Sequence, residues 1–198
     1  MLKKEDISNI INVGLILFAI TAVSAFVLAV VNAATAPVIA KNNEEKQAIA
    51  MKAVMPEATE FIDKTADMRL LSSINPDVTE VYEAFDNEDE KMGYVVMASP
   101  NGYGGEISLV VGVNNDLTVS GVDIIKQSET AGLGAKCVNE EFKNQYIGKT
   151  EGINVVKNGA GENSIDAISS ATITSKAVTR GVNAALEAAE HISALETE

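Results

Sequence analysis

Apolar residues run without a charged interruption from Ile7 to Ala40, and Ile10 to Val31 alone is long enough to cross a bilayer as one helix. A helix is required there, because hydrocarbon satisfies no backbone polar group. The competing reading is a signal peptide cut after Ala34-Thr35-Ala36. The run is long for a signal core and Pro37 follows the supposed cut, which favours an uncleaved anchor. Pro37 is expected to end or bend the span. Ala48, Ile49, Ala53 and Val54 then alternate with charges as an amphipathic helix over Lys41 to Val54, which Pro56 stops. The expected organisation is a lead over 1–9, a membrane anchor over 10–36 and a domain over 37–198.

Residues 57–79 are polar and mixed and read as loop and irregular structure. A strand-like section follows. It begins with Val81, Tyr82 and Phe85 and continues with Tyr94 to Ala98, Ile107 to Val113 and Leu117 to Lys126. Asn114-Asn115-Asp116 has the turn chemistry to join the last two as a hairpin. Asn139 to Tyr146 reads as a short helix closed by Gly148, Ile153 to Val156 as a fifth strand, and Asn158 to Asn163 as a polar loop. Ile173, Ala177, Val178, Ala185, Leu186, Ala189 and Ile192 recur at three- and four-residue spacing, which marks one apolar face of a C-terminal helix. The pattern as a whole predicts an α+β fold: a mostly antiparallel sheet flanked by helices, with one N-terminal transmembrane helix.

Composition narrows the chemistry. The 198 residues carry a net charge of −13, which repels nucleic-acid phosphates and leaves no basic footprint for them. There is one cysteine and one histidine, so no internal disulfide forms and no Cys/His pair has metal-ligand spacing. Cys137 reads as a small packed side chain and His191 as a surface helix residue. No metal site and no catalytic residue is assigned; redox work by this chain needs a bound cofactor.

Three stretches carry candidate chemistry. Asp166-Ala167-Ile168-Ser169-Ser170-Ala171-Thr172 precedes the C-terminal helix. Ser169 or Ser170 is a natural N-cap, and Thr172 falls in the first turn, where unpaired N–H groups and the helix dipole favour a phosphate. The same hydroxyls also suit a helix start that is merely rich in capping residues. Pro100 to Glu106 holds Gly102, Gly104 and Gly105 around Tyr103, either a flexible hairpin loop or a backbone able to approach a ligand closely. Ser128 to Ala135 contains Glu129-Thr130, then Gly132 and Gly134 flanking Leu133, a loop able to wrap a flat ring or simply to turn. Asp166 can serve as a general base, hold the loop through backbone amides, or mark the site for a modifying enzyme. Lys176 and Arg180 lie one and two turns beyond Thr172, able to compensate a phosphate or to remain solvated.

The Asp-x-x-Ser-Ser-Ala-Thr stretch resembles the flavinylation motif of membrane-tethered FMN-binding domains. These include the G subunits of Rnf ferredoxin–NAD oxidoreductase complexes and the C subunits of sodium-pumping quinone reductases. A common variant of the motif has Gly at the position of Ser170. Gly102 to Gly105 match the family's Gly-Tyr-Gly-Gly, and Glu129 to Gly134 match its Glu-Thr-Pro-Gly-Leu-Gly, with Ala131 in place of Pro. The stretch Met51 to Ala58 is similar to the helix that opens the family's globular domain, and the compact length suits the Rnf G subunit. The resemblance implies FMN bound covalently as a phosphoester on Thr172. It implies a cofactor site containing Asp166, Ser169, Ser170, Ala171, Glu129, Thr130, Gly132, Leu133, Gly134 and Gly104. It also implies a cytoplasmic N-terminus, a single span of the cell membrane, and an extracytoplasmic domain that carries electrons within an ion-translocating oxidoreductase. Its partners are then the other subunits of the complex and a flavin transferase for maturation. The other readings are a membrane-tethered binding or pilin-like module without redox function, and a free-standing flavinylated carrier for another extracytoplasmic reductase.

Overall fold

The computed structural model describes residues 4–66 and 75–196. The expectations for residues 1–3 of the lead and for 67–74 of the irregular stretch lie outside the described residues. The chain divides into two units, one ending at Glu45 and one from Lys46 onward.

The described part of the first unit lies within one helix. Helix α1 runs over Lys4–Val54, with Pro37 inside it, so the amphipathic helix expected after Pro37 is the continuation of the same element. Proline removes one N–H from the ladder, but alanines on both sides hold helical geometry well, and one missing bond does not break a helix of this length. Its apolar stretch has a mean hydropathy of 2.7 with none of it buried, so it is long and apolar enough to cross a membrane. Phe18, Phe26 and Leu28 stand fully out from it. The hydroxyls of Thr21 and Thr35 turn back onto the carbonyls of Leu17 and Val31, which satisfies them within the helix.

The second unit is a sheet covered on both faces. Strands β1 (Glu60–Asp63), β2 (Val78–Phe85), β3 (Lys91–Ala98), β4 (Ser108–Asn114) and β5 (Val119–Lys126) pair in sequence order, all antiparallel. Alternation along the strands sorts the core. Tyr94, Val96, Ala98, Leu109, Val111 and Val113 face the C-terminal helix α3 (Thr172–Glu196). Val95, Met97, Val110 and Ala84 face Ala50, Met51, Val54 and Met55 of α1. Ser120 Oγ donates to the Val54 carbonyl at 2.8 Å, where α1 ends.

The β4–β5 hairpin turns where the asparagines predict. Asp116 Oδ1 accepts the Thr118 N–H at 3.1 Å, an Asx-type closure. After β5 come a 3₁₀ turn over Gly134–Val138, helix α2 (Glu140–Lys143) and a second 3₁₀ turn over Asn144–Tyr146. The expected single helix over 139–146 is therefore a chain of short turns. Lys143, nearly buried, pins α2 to β5 by bonding Asp123 at 2.7 Å and Glu140 at 2.8 Å. Burial opposes its charge, but those two carboxylates outweigh burial and hold its pKa above the ordinary value.

Two strands escape the periodicity. β1 lies in the stretch read as irregular: Phe61 and Ile62 are adjacent, not alternating, and this edge strand exists through its ladder to β2. β7 (Ser164–Asp166) pairs parallel with β6 (Asn154–Val156) and buries only Ile165 fully. Three residues leave no period to read. This small sheet delivers the chain to the Asp166–Thr172 stretch at the start of α3.

Candidate functional site

The site grows from the turn ahead of α3. The Ala171 N–H donates to the Ile168 carbonyl at 2.9 Å, closing a four-residue turn with Ser169 and Ser170 at its corner. Ser170 has φ +62°, the left-handed region that favours glycine. Neither serine caps the helix, contrary to expectation. Ala171 occupies the N-cap position, its carbonyl accepting the Ser175 N–H at 3.0 Å. Buried Ser175 ties this turn to the helix instead: its Oγ donates to Ala171 O at 3.0 Å and accepts the Ile168 N–H at 2.9 Å. The amides of Thr172, Ile173 and Thr174 therefore have no carbonyl within the helix to bond. Thr172 is exposed at this end, and among the described residues nothing bonds its hydroxyl.

The two glycine loops meet this helix start. Glu129, almost wholly buried, sits between them. Its Oε1 accepts the N–H of Tyr103 at 2.9 Å and of Gly104 at 2.8 Å, while Oε2 accepts the Thr174 hydroxyl at 2.5 Å. The three segments enclose a cleft of about 530 Å³ lined by Tyr103, Glu129, Thr130, Leu133, Gly134 and residues 170–174. Its rim is apolar and solvent-facing: Tyr103 is 71% exposed, Ile173 56% and Leu133 42%. Large apolar side chains held out in water around a cleft are a cost to the fold unless something covers them.

Of the expected site residues, Glu129, Thr130, Leu133, Gly134, Ser170, Ala171 and Thr172 line this cleft. The others lie off its walls. Gly104 is exposed within its own loop, its amide held by Glu129. Gly132 is exposed and takes φ +78°, a turn position. Asp166 and Ser169 line a different, smaller cleft of about 230 Å³ with Lys136, Phe142 and Gln145. Asp166 Oδ1 accepts the Ala160 N–H at 3.0 Å, and its own N–H donates to Gln145 Oε1 at 2.7 Å, so it holds the loop. Arg180 does not turn toward Thr172: its Nε donates to Asp77 at 2.5 Å and its Nη2 to the Asn101 carbonyl at 3.4 Å, which steadies the base of the Tyr103 loop. Lys176 lines a more polar cleft of about 530 Å³ farther along α3, with Asn183 and Glu187. That cleft holds no residue of the three stretches and lacks the apolar rim.

Sequence reasoning missed Tyr103, Ile173 and Thr174 as walls of the cleft and Ser175 as the hydroxyl that holds the turn. Tyr103 had a signal, an aromatic side chain isolated between glycines; Ser175 had none. Cys137 is fully buried behind the loop, and burial, together with the Glu129 charge, pushes its thiol up to about 11. It is a packed, unreactive side chain, as expected. His191 is half-buried on α3.

Comparison with known proteins places this geometry. Residues 102–187 match the FMN-binding domain family, and residues 1–54 match the RnfG N-terminal region. The chain is 38% identical to the G subunit of the Na⁺-translocating ferredoxin:NAD⁺ oxidoreductase complex of Acetobacterium woodii, over 95% of each chain. The chain belongs to the G-subunit family of ion-translocating oxidoreductase complexes. A relative from Methanosarcina acetivorans, the G subunit of an ion-translocating oxidoreductase complex, is 34% identical, with 97% of this chain and 99% of that one aligned. Among solved structures, NqrC of Shewanella oneidensis aligns with 52% of this chain and 53% of its own at 27% identity and a TM-score of 0.49. The FMN-binding match begins at Gly102 and runs through both glycine loops and Thr172 into α3, so it spans every wall of the cleft.

The residues present fit FMN. The cleft volume lies in the range of small-molecule sites, about 300–1,000 Å³. Its apolar rim suits a flat ring, and the open amides of the first helical turn suit a phosphate.

Proposed function

We propose that Thr172 carries FMN through a phosphoester and that this domain is the electron-carrying subunit of a membrane-bound ferredoxin–NAD oxidoreductase that translocates ions. The observation that carries the reading is the position of the Thr172 hydroxyl: exposed, unbonded among the described residues, on the first turn of α3 and on the wall of the apolar cleft. An ester oxygen there puts the phosphate against the free amides of Thr172, Ile173 and Thr174 and at the positive end of the helix dipole.

The rest of the cleft then serves the ring. Tyr103, Leu133 and Ile173 supply apolar surface on which it rests, and covering them removes their exposure to water. Amides of the Thr130–Gly134 loop, other than that of Leu133, which donates to the Thr130 carbonyl, would bond its polar edge. FMN bound there exchanges electrons one or two at a time, which joins single-electron carriers to a two-electron acceptor. The protein's part is to hold and tune the ring, not to bind NAD itself.

The remaining parts of the proposal follow from the family. Residues 10–36 anchor the chain by a single pass of the cytoplasmic membrane, 1–9 stay in the cytoplasm, and 37–198 form the extracytoplasmic FMN-binding domain. Its partners are the other subunits of the complex and, for maturation, a flavin transferase. Expression with a flavin transferase and fluorescence on a denaturing gel test the attachment: the native chain gives a flavin band and Thr172→Ala gives none. A band that persists in Thr172→Ala overturns the assignment.

A further inference from the structure

The glycines of the two loops are spaced for a carboxylate. A Cβ built on Gly102 would come within 2.4 Å of Glu129 Oε1, and one on Gly134 within 2.7 Å of Glu129 Oε2 and 2.5 Å of Thr174 Oγ1. A Cβ on Gly104 would meet the Ser128 carbonyl at 2.2 Å, the residue just before Glu129. All four distances are shorter than real Cβ contacts, so a side chain at any of these positions forces Glu129, Thr174 or the backbone to shift before any ligand arrives. Each one makes room for Glu129 or for the backbone that carries it.

The bonds that fill this space are complete. Glu129 takes two backbone N–H donors on Oε1 and one hydroxyl on Oε2, from three different segments. Its own N–H donates to Gln127 Oε1 at 2.6 Å. A buried carboxylate needs such donors, because without them burial of its charge is costly. The consequence reaches the rim. Fixing the amides of Tyr103 and Gly104 inward leaves the Tyr103 side chain outward on the cleft edge. Fixing Thr174 sets the first turn of α3, where Thr172 lies.

We propose that Glu129 is the positioning residue of the cleft: its carboxylate ties both glycine loops to the start of α3 and thereby presents Tyr103 and Thr172 to one space, acting by shape and hydrogen bonding. The link to a flavin rests on the function proposed above; the positioning itself does not, and the two are tested separately.

The full chain is purified in detergent from a host without a flavin transferase, and hydrogen exchange is followed at the amides of Tyr103 and Gly104. Glu129→Ala removes all three bonds, and exchange at both amides rises by roughly tenfold or more. Glu129→Gln keeps an oxygen for the two amides and an NH₂ that donates to Thr174 Oγ1, so exchange stays near that of the native chain. If Glu129→Ala does not fold, Thr174→Val removes only the Oε2 bond and is expected to raise the same exchange by a smaller factor. Unchanged exchange in a folded Glu129→Ala or Thr174→Val overturns the proposal. So does Glu129→Gln exchanging as fast as Glu129→Ala, because charge rather than shape would then be at work. In chains matured with the transferase, Glu129→Ala is expected to weaken the visible circular dichroism of the flavin while Glu129→Gln retains it. A native chain that takes no covalent flavin sinks the functional reading and leaves the exchange result standing.

Discussion

Four hydroxyls crowd residues 169–174, and the fold engages them unequally. Thr174 is spent on Glu129 and Ser169 lies off the cleft, while Ser170 and Thr172 both line it; of those two, Thr172 alone stands in the first turn of α3, beside its unpaired amides. From the residues alone Ser169 or Ser170 was expected to cap the helix with Thr172 in its first turn; the capping expectation fails, and the hydroxyl that holds the turn belongs to Ser175, farther downstream. Ser170 carries a second lesson. Its φ of +62° explains why the related motif accepts glycine at this position. Ser170→Gly is expected to leave thermal stability unchanged or raise it by up to about 1 kcal/mol, and Ser170→Val to lower it by more than that, since a β-branched residue is an outlier there. Melting curves of the two variants check this ordering. Cys137 gives a pH dependence. Its thiol stays protonated in the folded chain up to about 11, whereas the unfolded chain ionises from its ordinary value of 9.0. The folded chain thus holds the proton more tightly, and its stability is full below pH 9 and falls as pH rises toward 11, by about 2–3 kcal/mol from this group. Tyr82 and Tyr146, their phenols also raised by burial, add to the same slope. Urea denaturation from pH 8 to 11 is expected to show a shallower decline in Cys137→Ala.

At the scale of elements, the long periodic patterns were legible and the short ones were not. The four strands from β2 to β5, the Asn114–Asp116 turn and α3 follow directly from alternation and helical spacing. β1 and β7 are four and three residues long and owe their existence to partners, whereas β6, equally short, falls within the strand expected over Ile153 to Val156. Pro37 misled because proline signals a stop only where other interactions do not carry the helix past it. The Gly132-Leu133-Gly134 loop was read as two equivalent glycines near a ligand. The structure separates them. Gly132 has open space around a would-be Cβ but φ +78°, whereas Gly134 has ordinary space claimed by Thr174 and Glu129. Gly132→Ala is expected to cost about 1 kcal/mol, the usual strain of a left-handed residue. Gly134→Ala is expected to cost about 1–3 kcal/mol, as overpacking does, and to release the Thr174–Glu129 bond. Denaturant titration distinguishes the two; equal losses would contradict the packing account.

On the scale of the whole molecule, an acidic domain follows one apolar helix, and the lysines at its two ends do not decide which way it lies. Lys3 and Lys4 flank one end and Lys41, Lys46 and Lys52 the other, close to a tie for a rule that large translocated domains largely ignore. The proposed orientation predicts that protease added to intact cells with an opened wall degrades residues beyond about 41. Protection until lysis would reverse the orientation. The central claim joins the anchor to the cofactor, and the mass of the membrane-extracted chain tests it most directly. The account predicts a chain that retains residues 10–36 and is heavier by one FMN less one water, with fragmentation placing the added mass on Thr172. A chain of unmodified mass from a host that supplies the transferase, or a flavin mapped to any other residue, would contradict it.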